Sequence, residues 1–338
     1  VTWLALRQFR TAAYATTAAL AVILALLAAT GVGLRDRYSA LRPACGSGGP
    51  ECSVVAQAFF RENRSAWLAA IALVLVVPAL VGTFWGAPLV AREVETGTHF
   101  VAWNQSTTRR HWLLVKLRVL SLAAMLTAAL CTAAVSWWSS PLDEVAIGDF
   151  PLMDPLMFAA RGVAPVAYAL FAFVLGVTVG MLVRRTTAAM AATVALLITA
   201  QVLFPVLVRP HLAAPVETTT EISDHRSDGF TVERVGPDSA ALLPGSSGAW
   251  FLSSTIVDPS GTVVDSIPVS ASGPCVSPVN QDRAACFAEM GELGYQFQVR
   301  YQPLSHFWPM QARESAVYVG LSLALAGLCL WRVRRNLT

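Results

Sequence analysis

WLAAIALVLVVPALVGTFWGAPLV, from Trp67 to Val90, carries no charged side chain. Wound as an α-helix at about 1.5 Å per residue it is about 36 Å long, enough to cross the roughly 30 Å hydrocarbon core of a bilayer. A charged stretch, AREVETGTHFVAWNQSTTRRHW from Ala91 to Trp112, follows at once. An oily run that ends on such a cluster reads as a membrane span reaching water, and that reading sets the expectation for the rest of the chain.

Working outward, comparable apolar runs occur at Ala12–Leu34, Val119–Trp138, Gly162–Val183, Thr186–Val208 and Ser315–Trp331. The expected fold is an all-α polytopic membrane protein with six transmembrane helices and a small, mostly β extracellular domain between the fifth and the sixth. Composition agrees: the 338 residues are 55% hydrophobic and 13% charged, with a mean hydropathy of +0.56. That is too apolar for a chain whose whole surface meets water. Arg35, Asp36 and Arg37 follow the first run without a small-residue cleavage site, so it reads as a retained span rather than a signal peptide. No run holds an ionisable residue near its centre, which argues against an ion-coupled path through the spans.

Arginine and lysine set the orientation, because cationic loops resist translocation. With both termini inside, the cytoplasmic pieces collect Arg7, Arg10, Arg92, Arg109, Arg110, Lys116, Arg118, Arg184, Arg185, Arg332, Arg334 and Arg335 against only Glu93 and Glu95. The partition is about +10 inside and about −7 outside. Arg35, Arg37, Arg42, Arg61 and Arg64 sit in the first outer loop and run against the pattern. The opening VTWLALRQFR, apolar at Trp3, Leu4, Leu6 and Phe9 beside Arg7 and Arg10, suits a short interfacial helix. The expected organisation is residues 1–208 for spans one to five with a cytoplasmic loop at 91–111, an extracellular domain at 209–313, and the last span with a cytoplasmic tail at 314–338.

Four of the six cysteines fall in expected outer loops, where disulfides persist. Proximity pairs Cys45 with Cys52 and Cys275 with Cys286, one of three possible connectivities. Cys131 and Cys329 lie within spans as small core residues. No C-x-x-C or neighbouring histidine marks a metal site, and no metal is expected. In the outer segment FTVERV, WFLSSTIVD, TVVDSIPVS and YQFQVRYQP read as strands and DRAACFAEMGEL as one short helix.

Catalytic signatures are missing: there is no GxxxxGK[ST] phosphate loop, no H-E-x-x-H and no G-x-S-x-G. A chain that moves something with neither an ion relay nor a nucleotide site must take its energy from a partner. The loop from Ala91 to Thr108 is the only sizeable cytoplasmic one, and Glu93 and Glu95 there can engage basic groups on a partner or on neighbouring cytoplasmic elements.

The stretch FWGAPLVAREVETGTHFVAWNQSTTRRHWLLVKL, from Phe84 to Leu117, resembles the region after the second span in permease subunits of type-2 ABC exporters, especially those of actinobacteria. Arg92, Glu93, Glu95, Gly97 and Thr98 carry the R-E-x-E-x-G-T pattern, with Trp103, Gln105 and Ser106 continuing it, and WLALRQFR is similar to the family's connecting helix. The resemblance implies a coupling helix that seats in a separate ATPase subunit, with Arg92, Glu93, Glu95, Gly97, Thr98, Trp103, Arg109 and Arg110 as coupling residues. It implies two ATPase copies, a second permease chain, identical or related, and membrane lipid as partners, with no nucleic acid. No cofactor is expected in this chain; ATP and Mg belong to the ATPase, and this subunit is not itself an enzyme. A path for an amphiphilic substrate involves Pro78, Phe84, Trp85, Pro165 and Gln201. Gly82-x-x-x-Gly86 and Gly176-x-x-x-Gly180 allow close helix approach, within the chain or between chains. Two rivals stand beside this reading: a membrane sensor whose ectodomain binds a ligand, and an outer-surface hydrolase using His211, His225 or His306.

Overall fold

Alanine and leucine, strong helix formers, dominate the apolar runs, and in a bilayer a helix satisfies all its own backbone groups. The protein is described by a computed structural model over residues 2–45, 50–95, 109–145, 150–221, 230–236, 239–244, 248–269 and 283–335. Among the described residues, six helices are long and apolar enough to cross a membrane: Tyr14–Leu41, Val54–Glu93, Arg110–Val145, Ala164–Val183, Thr186–His211 and Leu304–Arg334. They are called the first to sixth spans below.

In chain order α1 is Thr2–Cys45 and α2 is Pro50–Leu80, which passes through a π-helical turn, Val81–Gly86, into α3, Ala87–Glu95. Then come α4 (Arg109–Val145), α5 (Pro155–Ala160), α6 (Ala164–Val183), α7 (Thr186–Leu207), α8 (Arg283–Glu292) and α9 (Phe307–Arg335). Several helices run well past the apolar runs. The backbone of α1 is continuous from Thr2, so the opening segment is not set off as a separate helix. Arg35 and Arg37, which sit awkwardly in an outer loop, are instead on α1 and engaged. Arg35 donates to the Trp137 carbonyl at 2.6 Å and stacks on the Trp137 ring at 4.0 Å, while Arg37 pairs with Glu62 at 3.3 Å. The stretch Ser139–Val145, beyond the apolar run that ends at Trp138, continues α4, and its Asp143 and Glu144 accept hydrogen bonds from Trp67 and Tyr38.

The second and fourth spans cross at the four paired glycines, and the crossing lies within this chain. A Cβ on Gly82 would lie 2.7 Å from the Ala172 carbonyl oxygen, and one on Gly176 would lie 2.8 Å from the Ala87 nitrogen. The contact is therefore backbone against backbone, which only glycine permits. Pro78, which cannot donate to the preceding turn, lies just before the π turn. Pro165 occupies the first turn of α6, where its missing N–H costs nothing.

By its own contacts the chain divides into a helical unit (Val1–Val145, Phe158–Leu212, Trp308–Thr338) and a second unit (Ala146–Met157, Ala213–Phe307). The helical core gathers Val81, Trp85, Leu113, Leu117, Phe173 and Val177. In the second unit, β1 (Val216–Glu221), β7 (Gln296–Gln302), β4 (Trp250–Val257) and β5 (Val263–Val264) form one antiparallel sheet in that order. Strands β2 (Phe230–Gly236), β3 (Ser239–Pro244) and β6 (Ile267–Pro268) form another. The run TVVDSIPVS does not make one strand: it breaks at Asp265–Ser266, so that its two halves join different sheets. Strand β1, VETTTE, is not marked by apolar alternation and forms by pairing with β7, Val216 opposite Tyr301. Ile256, Ile267, Met290, Phe297 and Val299 pack the interior of this unit.

No disulfide occurs among the described residues. Cys131 and Cys329 are buried thiols, and the side chains of Cys45, Cys52, Cys275 and Cys286, on which the expected pairs rest, lie outside the described residues.

Candidate functional site

At the α3 end of the second span the two glutamates face their own chain. Lys116, 2% exposed, donates through its ammonium to Glu93 Oε1 at 2.7 Å, and Nζ sits 4.1 Å from the centre of the Trp112 ring. Glu95 reaches the fifth span instead: the Thr186 backbone N–H and hydroxyl both donate to Glu95 Oε2, at 3.0 and 2.6 Å. Thr186 is the first residue of α7, and the preceding Arg185 makes no side-chain cap, so Glu95 supplies the cap from another helix. These hydrogen bonds, with the Arg185 charge behind them, hold the exposed Glu95 carboxyl below the ordinary carboxylate range, so the cap outlasts mild acidification.

The same end is packed by small side chains. Ala87 and Ala91 on α3, Val179 on α6 and Ala189 on α7 form one buried cluster. Glu93 therefore ties α3 to the third span, while Glu95 and the alanines tie it to the fifth. Arg92 and His111 are exposed and Arg110 is half-buried. Gly97, Thr98, Trp103, Gln105 and Ser106 lie outside the described residues, as does the Arg109 side chain. Of the residues assigned to a substrate path, Phe84 is exposed on the π turn, Trp85 packs into the core and Gln201 is half-buried on the fifth span.

Lys116→Met removes the ammonium from a carboxylate that is mostly out of water. It is expected to cost about 1.5–3 kcal/mol, and Lys116→Arg less, in thermal unfolding of the detergent-solubilised chain.

Two further polar clusters occupy the opposite ends of the spans, and neither is apparent from sequence. Arg209, in a 3₁₀ turn continuing the fifth span, grips both carboxylate oxygens of Glu314 on the sixth at 2.9 Å, each side chain 1% exposed. The Tyr168 hydroxyl of the fourth span donates to the same carboxylate, and the guanidinium lies 4.6 Å from the Phe158 ring centre. In the second cluster, Arg161 binds Asp143 at 3.0 Å and Ser139 at 2.8 Å, and Trp67 Nε1 also donates to Asp143. Between them Gln311 bridges the break from α5 to α6. Its Oε1 accepts from the N–H groups of Val163 and Ala164, and its Nε2 donates to the carbonyls of Phe158 and Arg161. The backbone groups freed at such a break must find partners, and here one amide bonds four of them. The sequence signal was thin: single polar residues at the very ends of apolar runs, where charge is expected anyway.

A family model described as ABC-2 membrane transporter related matches residues 17–209, more than half of the chain. The chain belongs to that family. The match takes in all but the outermost residues of the first five spans, with the Glu93–Lys116 and Glu95–Thr186 contacts, and it ends at Arg209. The family makes this ABC-2 chain a multi-pass membrane protein of the ABC-2 permease type and implies an ABC ATPase as its partner in general. No curated protein and no solved structure matches it.

His211 Nδ1 is 3.1 Å from the Leu207 carbonyl and His306 Nδ1 is 2.7 Å from Gln302 Oε1, while His225 lies outside the described residues. No metal-binding group of His, Cys, Asp and Glu occurs among the described residues.

Proposed function

We propose that this chain is the permease subunit of an ATP-driven exporter that moves an amphiphilic compound (antibiotic, peptide or lipid-like) outward by alternating access, with hydrolysis in two copies of a separate ATPase. The observation that carries the reading is the double tie at Glu93 and Glu95. A push on the stretch 91–111 from the cytoplasm reaches the third span through Lys116 and the fifth through Thr186. Both termini are cytoplasmic in this reading, the sheet unit is extracellular, and a second permease, identical or related, completes the path.

The second span supports a substrate path beside it. Leu68, Ala72, Val76, Leu80 and Phe84 are its exposed line, one residue in every four, while most of its other positions are buried or half-buried. The π turn, a rare feature often found at functional positions, keeps Phe84 on that line. An apolar ridge of this kind suits an amphiphile and offers nothing to a small hydrophilic ion.

The test is gentle affinity purification of the full chain from its native membrane. A soluble ATPase is expected to accompany it, and Arg92→Glu with Trp103→Ala is expected to reduce its recovery about tenfold or more, a loss of about 1.4 kcal/mol in binding. A chain recovered alone, under conditions that preserve other membrane complexes, overturns the reading. A reporter enzyme active only outside the cell is expected to give signal at residue 260 and none at residue 105.

A further inference from the structure

The fourth and fifth spans differ sharply in how they are held. Over their most apolar stretch the fourth is 72% buried and the fifth 17%. The fifth is fully buried along one line only, Ala189, Thr193, Leu197 and Phe204, and the rest of its 22-residue helix, about 33 Å long, is exposed or half-buried. Specific polar contacts hold it at its two ends. Glu95 caps its first residue, and Arg209, in the turn that continues its helical hydrogen bonding through Leu212, closes on Glu314 and Tyr168.

We propose that the fifth span is the rod that carries movement of the 91–111 stretch across the membrane, and that the Tyr168–Arg209–Glu314 cluster is the catch it releases. This rests on the function proposed above. The chemistry of the catch suits two states. A fully buried ion pair adds little net stability, because desolvation cancels much of its Coulomb energy, but pulling it part-way apart without admitting water is strongly unfavourable. Such a joint is either closed and dry or open and hydrated. At the inner end Glu95 and the alanine cluster make α3 and the start of α7 move together, so displacement of the loop becomes displacement of the rod. Glu95 and Thr186 are then positioning residues, acting on the catch only through the fifth span.

Ser315, next to Glu314, offers a reporter: its hydroxyl is buried without a hydrogen-bond partner, so Ser315→Cys forfeits no bond. The full chain with its bound ATPase is placed in lipid nanodiscs, and maleimide labelling at position 315 is followed by peptide mass spectrometry with and without the β,γ-imido analogue of ATP. The nucleotide is expected to raise the labelling rate about fivefold or more, the low end of ordinary allosteric couplings.

Thr186→Pro removes both donors to Glu95 while leaving the 91–111 stretch intact. Proline is acceptable there because the position is the first of a helix and Arg185 before it is extended, at φ −124° and ψ 122°. This variant is expected to lose most of the nucleotide-dependent rise at equal bound ATPase, with a melting temperature lowered by no more than a few degrees. Glu95→Gln, which still offers an oxygen to Thr186, is expected to keep most of it. An undiminished rise in Thr186→Pro overturns the rod. A flat response in the native sequence background, with a bound and hydrolysing ATPase, overturns the catch. Failure of any ATPase to bind overturns the proposed function along with both.

Discussion

Gly176→Val is expected to prevent the helical unit from assembling. The side chain would have to enter a space where even one methyl group lies 2.8 Å from the Ala87 nitrogen and closer still to the Gly82 carbonyl oxygen. Backbone cannot rotate away as a flexible side chain can, so the second and fourth spans must separate. Separation would also expose the buried Phe173 and Val177 that the crossing packs. Overpacking of a core commonly costs about 1–3 kcal/mol, and more where nothing can yield. For a unit of this size the detergent-solubilised chain should lose about 10 °C or more in melting temperature, or fail to elute as a single species. Gly320→Val is the matched control: a Cβ there meets nothing within 4 Å, and stability should be unchanged. Equal behaviour of the two variants would remove the crossing as the organising contact.

Glu314→Leu should be nearly as damaging for a different reason. It leaves the Arg209 guanidinium, 1% exposed, without its counter-charge, a situation that costs about 3–5 kcal/mol in buried pairs. The triple variant Tyr168→Phe, Arg209→Met, Glu314→Leu removes all three polar partners together and puts apolar groups of similar size in their place. Most of the lost stability should then be regained, with a melting temperature equal to or above the native one, because the desolvation of two charges is also removed. A triple variant as unstable as the single one would show that the cluster contributes net stability of its own. In that case its role as a releasable catch would lose its physical basis.

These two results probe features of unequal legibility. The glycines were visible as two G-x-x-x-G spacings, but in a chain so rich in alanine and glycine spacing alone does not say whether the close approach is within one chain or between two. Arg209 and Glu314 were not legible at all, since they are 105 positions apart and each stands at the edge of an apolar run. Glu93 and Glu95 stood out as charges after a long oily run. Their partners did not: Lys116 reads as one more topology-setting cation, and Thr186 as the ordinary first residue of a span.

What the sequence by itself determined is the membrane character of the chain, six spans and their approximate positions, the loop that carries the R-E-x-E-x-G-T pattern, and a strand-rich segment before the last span. All of these are local: they follow from the length of apolar runs against bilayer thickness and from charge at their ends, and each can be read in a window of about twenty residues. Only the tertiary structure decided that the arginines after the first run are helical and engaged, that the glycine crossing is internal, that Glu95 caps the fifth span, and that Gln311, Arg209 and Glu314 close the opposite end. Those are pairings between distant segments. A lone polar residue at a span end satisfies the same local rules whether it meets water or a partner more than a hundred residues away, and packing alone distinguishes the two.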